Sequence, residues 1–184
     1  MIYLRFLCRL LLHKWFVLRA GRTTGVPLWR LLAHDWSKFS PAEFAAYARA
    51  FCGDYSNSPN DREEVTQEYR RAWLHHENAN PHHWGHWIPR SGHYAGEPLA
   101  MPEIYVREMI ADCLGASRAY TGSWDIAAWL NEHGSAWPLH DETVKLIAVV
   151  MNEIGYVLTD GCWSWRRKED DGWRKPLGGM YRSI

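Results

Sequence analysis

Apolar residues return every three to four positions through the first twenty residues. Leu4, Leu7, Cys8, Leu11, Leu12, Trp15 and Leu18 predict an amphipathic helix over 2–19, with His13 beside the stripe. After a Gly21–Gly25 turn, Val26 to about Lys38 reads as a second helix with Pro27 in its first turn, and that helix carries His34 and Asp35. Ser40-Pro41-Ala42-Glu43 has the form of a capping box with proline at the first helical position, opening a third helix through Phe51. The turn-rich CGDYSNSPND ends on Asp61, the expected N-cap of a fourth helix to about His76, whose Val65, Tyr69, Ala72, Trp73 and His76 share one face and turn His76 inward. From Asn78 to Pro102 the periodicity lapses into Gly, Pro, His and Trp, the signature of a functional loop. Helices are expected again at about Glu103–Tyr120, Ser123–Glu132 and Asp141–Tyr156, with no strand ladder or internal repeat. The pattern is that of an all-α protein, a compact helical bundle with one long His/Trp-rich loop.

Composition narrows the picture. A chain of 184 residues, 47% of them hydrophobic, suits one domain, expected over 1–160, followed by an irregular tail over 161–184. Lys+Arg and Asp+Glu both number 21, so there is no overall charge for gripping a long polyanion; a small ligand suits the chain better than long nucleic acid. Cys8, Cys52, Cys113 and Cys162 are scattered and read as reduced thiols of a cytoplasmic protein. In the N-terminal stretch Arg5, Arg9, His13, Lys14 and Arg19 interrupt every apolar run, which argues against a signal peptide or bilayer span. That helix is expected to bury its Leu/Phe face in the core rather than lie on a membrane. The twelve Trp residues read first as bulky core and are compatible with self-association, although no coiled-coil heptad supports it.

The most informative run is His34-Asp35-Trp36-Ser37-Lys38, where adjacent His and Asp are expected to reach one metal from a helix. HDWSK resembles the HD-x-x-K signature of the HD phosphohydrolase superfamily. That resemblance implies a helical bundle of HD type with His13, His34, Asp35 and Asp112 as metal ligands, Asp112 lying in EMIADCLGAS. AWLHHENANPHHWGHW, HDWSKF and EMIADCLGAS together also resemble a family of small phage and bacterial proteins with no reaction assigned, over most of residues 13–120.

Imidazoles and carboxylates suit a borderline divalent ion, and an open coordination position lowers the pKa of bound water. Manganese, cobalt, zinc, magnesium and iron are all compatible, as one or two ions. Asp35, Lys38 and Glu108 are the candidate catalytic residues. Glu108, one turn before Asp112, is placed to take a proton or to orient a ligand, and Lys38 to contact a phosphate.

His140-Asp141 shows that the dipeptide alone means little, because Asp141 precedes an apolar pattern and reads as an N-cap. His75, His76, His82, His83 and His86 form a denser group. The resemblance implies a second metal held by two of them, His76 with His82 or His83; the alternative is imidazoles bonded to the backbone of an Asn-Pro turn. Asn78 and Asn80 are expected to shape that loop. Arg19, Arg22, Arg107 and Arg118 are available to neutralise phosphate, and Trp84 and Trp87 to pack or to stack on a base.

The leading expectation is therefore a phosphohydrolase acting on a small phosphorylated substrate, with nucleotides suggested by the resemblance and no membrane partner. Two others stand beside it: a di-iron HD-type oxygenase, and a non-enzymatic helical protein stapled by metal that binds a partner.

Overall fold

The computed structural model describes residues 1–53 and 59–165, with side chains described from residue 62 onward in the second stretch. Its architecture is all-α: α1 (Ile2–Thr23), α2 (Leu28–Ala33), α3 (Phe44–Cys52), α4 (Pro59–Ala79), α5 (Glu103–Thr121), α6 (Ala127–His133) and α7 (Asp141–Glu153). Short 3-10 turns stand at Trp36–Phe39, Trp84–Trp87 and Gly134–Ala136.

The central packing is α1 on α5. Phe16, Val17 and Ala20 of α1 meet Val106, Ile110 and Leu114 of α5 in the main core, which α7 and Tyr156 complete. Gly115 permits the close approach, since a Cβ there would stand 2.6 Å from Val17 Cγ2 and 2.8 Å from its backbone nitrogen. One turn earlier on each helix, His13 and Asp112 come face to face. A second cluster, Phe6, Leu10, Ala46, Tyr47, Ala48 and Ala72, joins α1 to α3 and α4.

Several boundaries differ from the sequence reading, each for a local reason. The first helix continues through Gly21 to Thr23, because Gly21 is a docking point rather than a turn: Leu31 of α2 occupies the space of its missing side chain. Gly25, at φ 79°, makes the turn instead. The second helix ends at Ala33, leaving His34 and Asp35 outside it. Ser40 does not cap α3; that helix starts at Phe44, the Ser40 hydroxyl is buried without a hydrogen bond, and Glu43 is used elsewhere. The fourth helix begins at Pro59, so Asp61 falls within it, and Asp61's side chain lies outside the described residues. At α7 the N-cap is His140, whose Nδ1 accepts from the Glu142 amide at 3.2 Å, and Asp141 is the first helical residue.

After α7 the chain forms an antiparallel hairpin, β1 (Tyr156–Thr159) with β2 (Cys162–Trp165), in place of more helix and the start of an irregular tail. Its two-residue turn, Asp160-Gly161, takes positive φ at both positions, 51° and 79°, as a tight hairpin requires. The rest of the expected tail, 166–184, lies outside the described residues.

Candidate metal centre

The chain turns sharply at the His-Asp pair. His34 is extended (φ −51°, ψ 132°) and Asp35 is left-handed (φ 56°, ψ 24°), between the end of α2 and the 3-10 turn at Trp36–Phe39. Adjacent residues on a regular helix point about 100° apart, whereas this break lets both side chains enter one interior site. The strain of a left-handed aspartate is modest, since Asp tolerates αL better than most residues. Lys14 of α1 donates to the His34 carbonyl and secures the turn.

Asp35 is fully buried and serves two groups of ligand atoms, one at each carboxylate oxygen. On the Oδ2 side stand His13 Nε2 at 3.4 Å and His34 Nε2 at 3.5 Å, and Asp112 Oδ1 approaches those imidazoles at 3.0 and 3.4 Å. On the Oδ1 side stand His76 Nε2 at 3.3 Å and His82 Nε2 at 3.5 Å, with His83 Nε2 2.8 Å from His76 Nε2. Within each set, His13, His34, Asp35 and Asp112 or Asp35, His76, His82 and His83, the ligand atoms lie within 4.8 Å of one another.

The distal faces of these imidazoles are held by carboxylates. His76 Nδ1 donates to Glu43 Oε2 at 2.9 Å, and His34 Nδ1 to Glu108 Oε1 at 3.1 Å. Glu108 is in turn held by Arg30 Nε at 2.9 Å. Such carboxylate–imidazole pairs fix the ring and leave Nε2 facing inward, the arrangement that orients metal-bound histidines. Asn80 braces the same corner, its amide donating to Ser37 Oγ at 2.7 Å and to the His76 carbonyl at 2.8 Å.

Several inward atoms have no well-directed hydrogen bond: both nitrogens of His13, His34 Nε2, Asp35 Oδ1 and His82 Nε2. Buried polar atoms are rarely left so, and His13 Nε2, His34 Nε2 and His82 Nε2 gathered around the Asp35 carboxylate call for a cation or protons to satisfy them. For His34, burial opposes charge, but Asp35, Asp112 and Glu108 outweigh it and raise the imidazole to about 10. Burial works against the charged forms of Asp35 and Asp112 as well, yet the neighbouring histidines, and Lys38 for Asp35, hold both carboxyls well below the usual range. Burial, with no offsetting partner of equal weight, lowers His82 and takes His83 down to about 4, so both are neutral donors at pH 7. The neutral imidazoles of His82 and His83 beside the ionised Asp35 make a mixed nitrogen and oxygen set that fits a divalent transition metal, and a cation in place of the proton would serve His34. These buried groups can therefore hold a metal ion.

Every residue expected to bind metal is brought here: His13, His34, Asp35, His76, His82, His83 and Asp112. Between His75 and His76 the geometry selects His76; His75 is half exposed and spends its Nδ1 on Glu43 Oε1 at 2.7 Å. His86 lies apart, against the Glu77 carbonyl. Glu108, expected to take a proton or to orient a ligand, is placed to orient, with its carboxylate divided between His34 and Arg30. Lys38 reaches Asp35 Oδ2 at 2.5 Å, and although burial opposes its charge, Asp35 and Asp112 raise its pKa.

The arginines singled out in the sequence stand away from the centre: Arg107 pairs with Glu153 and Glu103, Arg19 and Arg118 lie over Trp124, and Arg22 is exposed in the last turn of α1. Trp84 stacks on Trp137, and Trp87 donates to the Pro81 carbonyl at 2.7 Å. The residue that sequence reasoning missed is Glu43. Its place three residues after Ser40 spoke for a cap, and no local signal pairs it with a histidine 33 positions away.

A cavity of about 120 Å³ adjoins the centre, with His13 and Lys38 beside Arg9 and the rings of Tyr47, Phe51, Trp73 and Tyr120. It is large enough for a compact ligand that would reach both a cation and the ligand cluster.

No curated protein and no solved structure matches this chain. The model of DUF5662, a family of unknown function, matches residues 3–153, a span that contains every residue of the centre and runs to the end of α7. The chain belongs to the DUF5662 family.

Proposed function

We propose that this protein is a metal-dependent phosphohydrolase of HD type acting on a small phosphate ester. One observation carries the reading: buried His and Asp atoms lacking hydrogen bonds converge on the two oxygens of Asp35, beside a cavity that Lys38 and Arg9 make cationic. A divalent ion held there would polarise a phosphoryl oxygen and make water a competent nucleophile near neutral pH.

The chain's own residues supply the rest. His13, His34, Asp35 and Asp112 form one ligand set, and Asp35 with His76, His82 and His83 the other. Lys38, held against Asp35 and lining the cavity, presents a charged ammonium to a phosphate oxygen. Arg9, anchored by donation to the Phe51 carbonyl at 2.9 Å, stands at the same cavity as a second cation. Glu43 and Glu108 keep His76 and His34 in the ligating orientation. The aromatic walls suit an ester whose leaving group is flat or apolar, and nucleotides are the first class to try.

The test is phosphate release from a panel of aryl phosphates, phosphodiesters and nucleotides, by protein loaded separately with manganese, cobalt, zinc, magnesium and ferrous iron. Release that disappears in Asp35→Asn and falls in Lys38→Ala supports the proposal. Metal retained in stoichiometric amount with no release from any substrate would overturn it.

The second ligand set at Asp35 Oδ1 also favours a different reading, a di-iron oxygenase, because two adjoining nitrogen-rich sets suit redox-active iron. Oxygen consumption by the ferrous protein with a candidate substrate, together with silence in the phosphate assay, would select it.

A further inference from the structure

The outward face of α1 is apolar as well as its inward face. Phe6, Leu10, His13, Val17 and Ala20 turn to the core, while Leu4, Cys8, Leu11 and Trp15, spaced by four, three and four residues, form an opposite stripe. Leu4 is 66% exposed, Leu11 52% and Trp15 51%. Beside it, α2 and the turn that follows leave Leu28, Trp29, Leu32 and Trp36 more than half exposed. A monomer in water gains nothing from so many uncovered Leu and Trp side chains in one region.

The charge around this face is one-sided. Residues 1–34 contain six Lys and Arg and no Asp or Glu, in a chain whose total charge is zero; Arg30 is spent on Glu108 and Arg9 lines the cavity, while Arg5 and Arg22 are exposed on α1. A helix with Leu and Trp along its outward line and arginines beside it has the composition of one lying in the headgroup region of an anionic bilayer. No helix of the described residues is long and apolar enough to cross a membrane, so contact would be along the surface. Other occupants suit the face less well. A second copy would set two cationic faces together, and residues 166–184 are themselves basic, with six Lys and Arg against three Asp and Glu.

We infer that the α1–α2 face docks on an anionic lipid surface, with Leu4, Leu11 and Trp15 in the headgroup layer and Arg5 and Arg22 against lipid phosphates. Sequence spacing places Leu4, Cys8, Leu11 and Trp15 on the stripe expected to turn to the core, and in the structure they form the outward one. Docking is independent of the phosphohydrolase reading, since binding is measured without substrate.

The experiment is flotation of the full-length protein with vesicles of phosphatidylcholine containing about one third phosphatidylglycerol, set against pure phosphatidylcholine. The protein should float with the anionic vesicles, at least about tenfold more than with the neutral ones, and be released by high salt. Leu11→Glu/Trp15→Glu should abolish flotation, and Arg5→Glu/Arg22→Glu should do so while leaving all apolar residues in place. Helical circular dichroism and bound metal should stay as in the wild type for both. Equal flotation with both vesicle types, or flotation unaffected by either variant, overturns the inference. So does failure to float combined with a dimer, seen in sedimentation, that Leu11→Glu/Trp15→Glu dissociates; a second copy would then be the occupant.

Discussion

The two sides of Asp35 are built differently. At Oδ2, His13 and Asp112 project from α1 and α5, which pack on each other in the main core at a spacing set by the Gly115–Val17 contact. At Oδ1, His76 comes from α4, but His82 and His83 come from the irregular stretch after Ala79, held by Asn80 and by Trp87 on the Pro81 carbonyl. Ligands carried by packed helices keep their separation because the core would have to deform to change it. Ligands on a braced loop depend on a few polar contacts, each worth about 1 kcal/mol. The first set should therefore bind the tighter ion and the second the more exchangeable one, with Asp35 common to both.

The largest effect expected is that of Asp35→Asn, which removes the shared charge and should empty both sets. Metal analysis should fall to background, together with any hydrolytic activity. Retention of one full equivalent would show that the two sets do not depend on a common carboxylate.

Next come the single-side variants. His13→Ala should cost the tighter ion, whereas His76→Ala should cost the weaker one and leave about one equivalent per chain. Loss of both ions in His76→Ala would break the comparison by showing that the loop side organises the whole centre.

Glu43→Gln and Glu108→Gln sharpen it further, since each removes the carboxylate that orients one histidine. Each should lower metal affinity by about 10- to 100-fold. Titration with a competing chelator should assign the Glu43 loss to the weaker ion and the Glu108 loss to the tighter. Gly115→Ala, which drives a Cβ into Val17, should cost about 1–3 kcal/mol of stability in denaturant melts and weaken the helix-borne side alone.

The smallest effect is on pH dependence in the metal-free protein. His34 is raised to about 10 in the fold, so the stability its proton contributes is complete below its ordinary value near 6.5 and is lost as pH climbs through about 10. Asp35 and Asp112 are lowered, so their contribution is present above the ordinary carboxyl value and is lost on acidification. Thermal melts in chelator should thus decline on both flanks, and the alkaline decline should be smaller in His34→Gln, with Lys38 and His76, also raised, sustaining the remainder. A flat alkaline limb in the wild type would mean that Asp35, Asp112 and Glu108 do not hold the imidazole charged.

The 3.6-residue recurrence of apolar side chains located α1, α4 and α5 in the sequence, because burial of one face is a local pattern that survives folding. His76 was legible for a similar reason, since an imidazole on the apolar face of a helix needs a partner, whereas His13, His34, Asp35 and Asp112 were assigned through the resemblance of HDWSK to the HD signature. Asp160-Gly161 also carried a local hairpin signal, yet it straddled the boundary expected between the domain and an irregular tail.

Other features were decided only by tertiary contact. Whether the His-Asp pair would lie in a helix or at its break depended on Leu31 docking at Gly21 and on Lys14 reaching the His34 carbonyl, neither of which a sequence window contains. Glu43 became a partner of His76 rather than a helix cap because α3 and α4 bring together residues 33 positions apart. The choice of His76 over His75, and the division of ligands between the two oxygens of Asp35, arose the same way. Periodicity locates an element, but at α1 the face it marked, Leu4, Cys8, Leu11 and Trp15, is the outward one. What each face meets is set by the packing of distant elements, where differences of an ångström separate a ligand from a bystander.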